Sequence, residues 1–231
     1  MRNFQITIKE KNGDRTTAFL PIDSCVAAGY TGRNQQAVQA HIDELIKLGV
    51  ATPYAVPAMY WISPARITDD KNIVVVGEQT SPEVEFFIAF DDRGQGYVTV
   101  ASDHTDRALE TVSVSKSKQV CDKVLGDVFW RMHDVKNHWD DIEIASQVRK
   151  NGEWREYQKG SLGDIMHHEE LLHRISAEKP AGKAPGIFSG TVPLIGGDPE
   201  YTSACKIVMH DPQLERKIIK EYQIITLPDR S

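Results

Sequence analysis

Glu83-Val84-Glu85-Phe86-Phe87-Ile88-Ala89-Phe90 is the most informative segment of the 231-residue chain. Side chains alternate along a β-strand, so the two glutamates are predicted to project on one side, with Cα atoms about 7 Å apart. Apolar residues fill the other face and also continue the glutamate face, which predicts that both faces are covered. Two carboxylates at the head of such a strand repel each other unless a cation lies between them. The alternative interpretation is a solvated strand end.

The next predicted strand covers residues 97–100. A third carboxylate, Asp103, follows it in the segment Ala101-Ser102-Asp103. Antiparallel pairing of the two strands would bring it beside Glu83 and Glu85. Three carboxylates without a sulfur ligand favour a hard cation, Mg²⁺, Mn²⁺ or Ca²⁺, with water completing its shell. Such a shell leaves room for a chelating substrate.

The chain around these two strands is predicted to be mostly β. An N-terminal hairpin turns at Asn12-Gly13-Asp14, and a helix over residues 34–48 has Asn34 as N-cap and Gly49 at its end. Residues 53–64, rich in proline, are predicted to form a loop. Further strands are predicted at residues 73–76, 142–148, 154–158, 205–209 and 217–226, with a second helix at 162–175.

Many strands with two helices predict an α+β, mainly β fold, a mixed β-sandwich roll rather than a doubly wound sheet. A single catalytic domain over residues 1–231 is expected. Within it, a nominal boundary near residue 72 separates a hairpin and lid-helix layer, residues 1–72, from a β-roll body, residues 73–231.

Composition excludes several classes of function. The 27 Lys and Arg residues against 33 Asp and Glu give a net charge of −6, and no basic tract interleaved with aromatic residues suggests nucleic-acid binding. No apolar run approaches the roughly 20 residues of a membrane span, and the first residues do not resemble a signal peptide. The cysteines at positions 25, 121 and 205 are predicted to be reduced, buried thiols. A cytoplasmic protein without nucleic-acid or membrane partners is therefore expected.

The order of these motifs resembles the catalytic domain of the fumarylacetoacetate hydrolase superfamily over roughly residues 30–226. In that family a Glu-x-Glu strand and an Asp after the next strand hold the metal, which corresponds to Glu83, Glu85 and Asp103. The similarity continues in a lysine region, an asparagine-glycine turn, a glutamine with a helix opening, and a glycine-threonine-proline loop: Lys116 and Lys118, Asn151-Gly152, residues 158–166, and Gly190-Thr191-Val192-Pro193. Ser102 and Val192 depart from the family pattern, so this chain resembles a divergent branch whose substrate does not carry over.

The resemblance implies roles for individual residues. Mg²⁺ or Mn²⁺ is the implied cofactor, and Lys118, in preference to Lys116, is the implied lysine that stabilises an oxyanion or enolate. Arg107, Gln158 and Thr191 are implied to bind the substrate, a small molecule with a 2-oxo acid or 1,3-dicarbonyl group. A homodimer acting in catabolism is carried over by resemblance alone.

His41 and Glu44 are three residues apart on the first predicted helix, so they project from neighbouring positions of one face. Members of the superfamily carry a His-x-x-Glu pair over the metal, where it activates water. A neutral histidine oriented by a carboxylate suits a general base. The alternative is that both residues only solvate an amphipathic helix.

With this dyad, the predicted function is hydrolysis of a bond next to a carbonyl group. The first alternative is decarboxylation, dehydration or lyase chemistry on the same metal-enolate platform, and the second is a non-catalytic binding protein of the same fold. His167-His168-Glu169-Glu170 is predicted to be an exposed helix start and no zinc site, because adjacent histidines on a helix point about 100° apart.

Overall fold

The structure is a computed structural model that describes residues 2–47, 52–178 and 184–230, without the side chains of Arg2, His41, Glu44 and Leu45. The first part contains β1 (Arg2–Lys9), β2 (Arg15–Ile22), β3 (Ser24–Gly29), α1 (Gln35–Lys47), β4 (Ala58–Ile62), β5 (Ile67–Thr68), β6 (Asn72–Val76), β7 (Thr80–Ser81), β8 (Val84–Phe90), β9 (Gly96–Asp103) and β10 (Thr105–Asp106). The second part contains α2 (Arg107–Glu110), α3 (Val114–Val120), β11 (Lys123–Leu125), β12 (Trp130–Arg131), α4 (Met132–Val135), β13 (Glu143–Lys150), β14 (Glu153–Ser161), α5 (His168–Glu178), β15 (Pro185–Phe188), β16 (Ala204–Asp211) and β17 (Arg216–Leu227). Short 3₁₀ helices occupy Pro64–Arg66, Lys136–Asp141 and Leu162–Asp164.

Two large mixed sheets organise the molecule. An eight-stranded sheet has the order β4-β3-β15-β8-β9-β11-β5, with β12 also paired to β9, and a five-stranded sheet has the order β14-β13-β16-β17-β6. Most pairs are antiparallel, whereas β15–β3, β11–β5 and β17–β6 are parallel. The fold is therefore α+β and mainly β, which confirms the predicted class.

Strand β8 is buried on both faces because it separates two apolar clusters. Phe86 and Ile88 face a large cluster that joins the two sheets. Phe87 and Ala89 face a second cluster, closed by apolar residues of the β1–β2 hairpin. The prediction from residues 83–90 that both faces of this strand are covered is therefore confirmed.

Several local predictions are confirmed. Asn34 caps α1, its side-chain oxygen accepting a hydrogen bond from the Ala37 amide at 3.1 Å, while Gly49 lies outside the described residues. Asn151 and Gly152 both adopt positive φ, 52° and 85°, in the turn between β13 and β14. This is the backbone conformation of a type I′ hairpin turn.

Two predicted elements are wrong. The proline-rich loop contains strand β4, which pairs antiparallel with β3 and places Tyr60 opposite Ala27. The second predicted helix is two pieces, since residues 162–164 form a 3₁₀ turn and α5 starts at His168. None of the helices in the described ranges has the length and apolarity that crossing a membrane requires.

Candidate metal centre

The register of β8 and β9 brings the three predicted carboxylates together. Val84 pairs with Ser102, and the Asp103 amide donates to the Glu83 carbonyl at 3.0 Å. One carboxylate oxygen from each of Glu83, Glu85 and Asp103 lies within 4.8 Å of the other two. Across the residues that the structure describes, this is the one group of three or more His, Cys, Asp or Glu side chains close enough to share a metal ion.

Glu83 lies at the open side of this group, with 14% of its side chain exposed. Its two oxygens accept hydrogen bonds from Arg107 Nη2 and Lys118 Nζ, each at 3.0 Å. Burial opposes its charge, but the two cations outweigh burial and hold the pKa of Glu83 well below its usual range. Glu83 is therefore ionised at neutral pH.

Glu85 is almost completely buried and has only one oxygen satisfied by the protein. Oε2 accepts a hydrogen bond from the Gly190 amide at 2.9 Å, whereas Oε1 has no hydrogen-bond partner among the described residues. Burial, with the nearby Asp103 carboxylate, raises the pKa of Glu85 well above its usual value. A raised pKa of this kind is typical of a buried carboxylate whose charge the neighbouring cations compensate only in part.

Asp103 is fully buried between two lysines. Its Oδ2 accepts a hydrogen bond from Lys118 Nζ at 2.5 Å, and its Oδ1 forms an ion pair with Lys123 Nζ at 2.5 Å. The second contact lacks hydrogen-bond geometry, so Oδ1 also counts as a buried oxygen without a hydrogen bond. Lys123 Nζ instead donates to the His104 carbonyl at 2.6 Å.

The structure separates the two candidate lysines. Lys118 is buried on α3 and directs its ammonium at the carboxylates, while Lys116 is exposed. Burial opposes the charge of Lys118, but Asp103 and Glu83 outweigh it and raise its pKa well above the usual value. Lys118 is therefore a permanent hydrogen-bond donor at this site.

Sequence reasoning missed Lys123, a fully buried lysine beside Asp103. It lies on the three-residue strand β11, which pairs antiparallel with β9 and places Lys123 opposite Asp103. In the sequence, Lys123 is marked only as a charged residue that precedes the apolar pair Val124-Leu125. This segment is too short to show the alternation of a strand, so nothing predicted that Lys123 would be buried.

The donor set fits a divalent hard cation. It offers carboxylate oxygens only, it is buried, and Glu85 Oε1 and Asp103 Oδ1 lack hydrogen bonds within the protein. Three cationic side chains, Arg107, Lys118 and Lys123, balance the three carboxylates. A bound cation would add to a site that is already close to charge balance and would favour an anionic ligand.

The three residues implied in substrate binding differ in their environments. Arg107 is partly buried, bridging Glu83 and Glu110 at 3.0 and 2.9 Å. The Gln158 amide is saturated by protein groups, accepting from Val84 N and Ser146 Oγ and donating to Thr191 Oγ1 and Val192 O. Gln158 and Thr191 thus tie the 190–192 loop to β8, and direct contact of either side chain with substrate stays a prediction.

The remaining histidine predictions have different outcomes. The His41 and Glu44 side chains lie outside the described residues, so the dyad stays a prediction. His168 is buried, only 6% exposed, which corrects the expectation of an exposed helix start. Its ring packs on Trp139 at a centroid distance of 4.2 Å.

Solved structures with a similar fold include two of a 2-keto-3-deoxy-D-arabinonate dehydratase and one of Cg1458. The dehydratase in its apo form has a TM-score of 0.66 and 16% identity, with 94% of this chain and 84% of that chain covered. The dehydratase complexed with magnesium and 2,5-dioxopentanoate has a TM-score of 0.64, 18% identity and the same coverage. For Cg1458 the values are 0.65 and 14%, with 93% and 83% covered.

These likenesses show a shared fold, of the fumarylacetoacetate hydrolase type. No curated protein matches the chain by sequence. The profile of a family described as "Protein of unknown function (DUF2848)" matches residues 28–222, most of the chain. The chain therefore belongs to the DUF2848 family.

Proposed function

We propose that the protein is a divalent-metal-dependent dehydratase that removes water from a small 2-oxo acid. The observation that carries the proposal is the buried group of Glu83, Glu85 and Asp103, whose oxygens lie within 4.8 Å of one another. A dehydratase of similar fold complexed with magnesium supports both the metal, Mg²⁺ or Mn²⁺, and the reaction class.

The three carboxylates would hold the cation, and a divalent ion bound there supplies a Lewis acid for the substrate's carbonyl group. Dehydration of a 2-oxo acid removes a proton from the carbon next to this carbonyl and a hydroxide from the carbon beyond it. A double bond forms between these two carbons, and the proton and the hydroxide leave as water. Lys118, kept protonated by its carboxylate neighbours, donates a hydrogen bond to the oxygen on which negative charge develops. Arg107 and Lys123 add positive charge from the Glu83 and Asp103 sides.

Hydrolysis requires an activated water, and the resemblance assigns this task to His41 and Glu44. Their side chains lie outside the described residues, so water activation by this pair stays a prediction. The carboxylates and Lys118 would serve either reaction, and the dehydratase of similar fold supports dehydration. The homodimer, the cytoplasmic location and the role in catabolism likewise stay predictions.

The test is a product analysis with Mg²⁺ and two substrate panels. One contains 2-oxo acids with a hydroxyl group two carbons from the carbonyl, and the other contains acylpyruvates such as fumarylpyruvate. We expect turnover of the first panel with loss of water, measured by mass spectrometry in ¹⁸O-labelled solvent. Cleavage of acylpyruvates with incorporation of solvent oxygen into the acid product, and no turnover of the hydroxy acids, would contradict dehydration and establish hydrolysis.

A further inference from the structure

The cluster of three carboxylates, Glu83, Glu85 and Asp103, opens to solvent on one side only. The side chain of Glu83 is 14% exposed and that of Asp103 is fully buried, while Glu85 as a residue is 1% exposed. A ligand of the metal therefore approaches past Glu83. The residues around Glu83 form the rim that meets the part of the substrate beyond its 2-oxo acid group.

Two tyrosines on this side of the site take no part in the chemistry described above. Tyr60 lies on β4, which packs against α3, the helix of Lys118, and Tyr30 lies near Glu83. Their hydroxyl groups are hydrogen-bonded to each other, and both lie near the charged groups of Lys118 and Glu110. Both residues are partly exposed. Burial is the main cause that raises the pKa of each phenol, so both are uncharged hydroxyl groups at neutral pH.

Tyr30 is held in an unusual backbone conformation. Its φ is 59°, in the left-handed region that a bulky residue adopts only when its surroundings impose it. The next residue, Thr31, is fixed on two sides, since its hydroxyl donates to the Ser189 carbonyl at 2.7 Å and its carbonyl accepts from the Met166 amide at 2.7 Å.

The same anchor reaches the metal centre. Ser189 precedes Gly190, whose amide donates to the Glu85 carboxylate at 2.9 Å. Tyr30 is thus connected to a proposed metal ligand through a short series of covalent and hydrogen bonds. Its backbone is therefore fixed relative to the carboxylates.

Tyr60 is positioned independently, from strand β4. Its ring lies against Gly29, where a Cβ atom would be only 2.9 Å from the ring. The end of β4 is tied to α3, the helix that carries Lys118, because the Ser63 amide donates to Gln119 Oε1 at 2.8 Å. Both tyrosines are therefore fixed by elements that also fix the metal site.

We propose, on the basis of the proposed function, that the Tyr30–Tyr60 pair determines specificity by hydrogen-bonding a hydroxyl or carbonyl oxygen on the distal carbons of the 2-oxo acid. A phenol both donates and accepts, which suits an uncharged oxygen group. The arginine of the rim, Arg107, is already paired with Glu83 and Glu110, at 3.0 and 2.9 Å, so it is not free to bind an anionic tail.

The test compares three ligands in saturating Mg²⁺ by titration calorimetry: oxalate, 2-oxopentanoate and 5-hydroxy-2-oxopentanoate. The last two differ only in the distal hydroxyl, and neither carries a hydroxyl two carbons from the carbonyl that dehydration could remove. The proteins are the parent, Tyr30→Phe, Tyr60→Phe and the control Tyr54→Phe, which changes a fully exposed tyrosine. Melting temperatures establish that each variant is folded, and Tyr60→Phe decides alone if Tyr30→Phe does not fold.

We expect the parent and Tyr54→Phe to bind the hydroxylated acid about tenfold more tightly than 2-oxopentanoate, the value of one good hydrogen bond. Tyr30→Phe or Tyr60→Phe should remove this preference and leave oxalate affinity within twofold. Normal oxalate binding with an unchanged preference in both rim variants would overturn the role of the tyrosines alone. Absence of Mg²⁺-dependent oxalate binding by the parent would overturn the proposed function and this inference with it.

Discussion

At the scale of single residues, Glu85 connects the metal to the stability of the fold. Its buried Oε1, which has no hydrogen bond among the described residues, would be compensated by a cation bound at the proposed site. Mg²⁺ at a hundredfold excess over its Kd should raise the free energy of unfolding by about 2.7 kcal/mol. Glu85→Gln should abolish this increment, measured as the Mg²⁺-dependent rise in melting temperature.

The exposed Glu78 supplies the matched control, since Glu78→Gln makes the same chemical change away from the cluster. It should keep the full response to Mg²⁺. A rise that survives both Glu85→Gln and Asp103→Asn would show that the three carboxylates are not the ligands.

Lys118 is expected to act on the substrate rather than on the metal. Lys118→Met should weaken oxalate binding in Mg²⁺ at least tenfold, because a charge-assisted hydrogen bond is lost. The affinity for Mg²⁺ alone should stay the same or rise, since the ammonium that contacts Glu83 and Asp103 is gone. Titration of both ligands measures the difference, with the exposed Lys116→Met as control. Equal oxalate affinity in Lys118→Met and the parent would remove this role.

His168 makes stability depend on pH. Burial, with the neighbouring His167, lowers its pKa to about 4, whereas a histidine in the unfolded chain has a pKa of about 6.5. Below pH 6.5 this histidine therefore binds more protons in the unfolded chain than in the folded one. His168 should cost the fold up to roughly 3 kcal/mol as the pH falls from about 6.5 to about 4.

His168→Phe keeps a ring against Trp139 but cannot titrate, so its stability should fall less steeply over this range in denaturant titrations at several pH values. His173→Phe changes an exposed histidine of the same helix and should follow the parent. Parallel curves for His168→Phe and the parent would contradict the effect.

The sequence was sufficient to predict the proposed metal ligands because their positions depend on short-range rules. Alternation along one strand and antiparallel pairing with the next strand place Glu83, Glu85 and Asp103 together. Lys123 and the Tyr30–Tyr60 pair depend on contacts between elements far apart in the chain. No period or spacing marks such contacts, which is why they appeared only in the structure.

At the scale of elements, the 190–192 loop is the part of the site most sensitive to backbone change. Gly190 has a φ of +84°, and a Cβ atom there would lie 2.1 Å from Thr31 Oγ1 and 3.0 Å from the Ala28 carbonyl. Gly190→Ala therefore meets both a strained conformation and a steric clash. Displacing the loop also removes the amide that Glu85 accepts from.

Gly196 provides the comparison, because its φ is +94° and a Cβ atom there meets nothing within 4 Å. Gly196→Ala should cost about 1 kcal/mol of stability, the usual cost of a left-handed alanine. Gly190→Ala should cost at least about 2 kcal/mol more and weaken Mg²⁺ binding. Denaturant unfolding measures the first effect and a Mg²⁺ titration the second. Equal losses in the two variants would show that the Thr31 contact relaxes without cost.

Elements with a clear hydrophobic period were predicted well. Elements that form only because they pair with a distant strand were not. The β1–β2 hairpin and α1 have periods of 2 and 3.6 that their sequences display. Strand β4 has prolines on both sides and is stabilised by pairing with β3, so local signals indicated a loop. The break before α5 follows from the Ser161–Asp164 capping box, which closes a 3₁₀ turn over residues 162–164.

At the scale of the whole molecule, we propose that residues 1–231 unfold as one domain. The hairpin cluster and the intersheet cluster share strand β8, so neither keeps its apolar contacts if the other unfolds. Ile6→Ala, which truncates a buried side chain of the hairpin, should destabilise the protein by about 2–5 kcal/mol. Trp130 and Trp139 belong to the intersheet cluster. The unfolding transition that their fluorescence reports should show the same loss of free energy as the hairpin.

Calorimetry of the same variant gives a second measure. One endotherm that moves to lower temperature is expected for a single cooperative unit. A separate low-temperature peak in Ile6→Ala, with the tryptophan signal unchanged, would instead show that the hairpin unfolds independently of the rest of the chain.

Burial of β8 on both faces also bears on how such a protein can diversify. A shift of β8 by one residue would exchange its two faces and carry Glu85 out of the carboxylate group, so an insertion or deletion there removes folding and metal binding together. The rim, by contrast, is formed by side chains that follow β3 or lie on β4 and α2, where a substitution leaves the register of β8 unchanged. Mutations that alter substrate choice are therefore separable from those that destroy the metal platform, and new specificities can arise here without a stage in which the protein is unfolded.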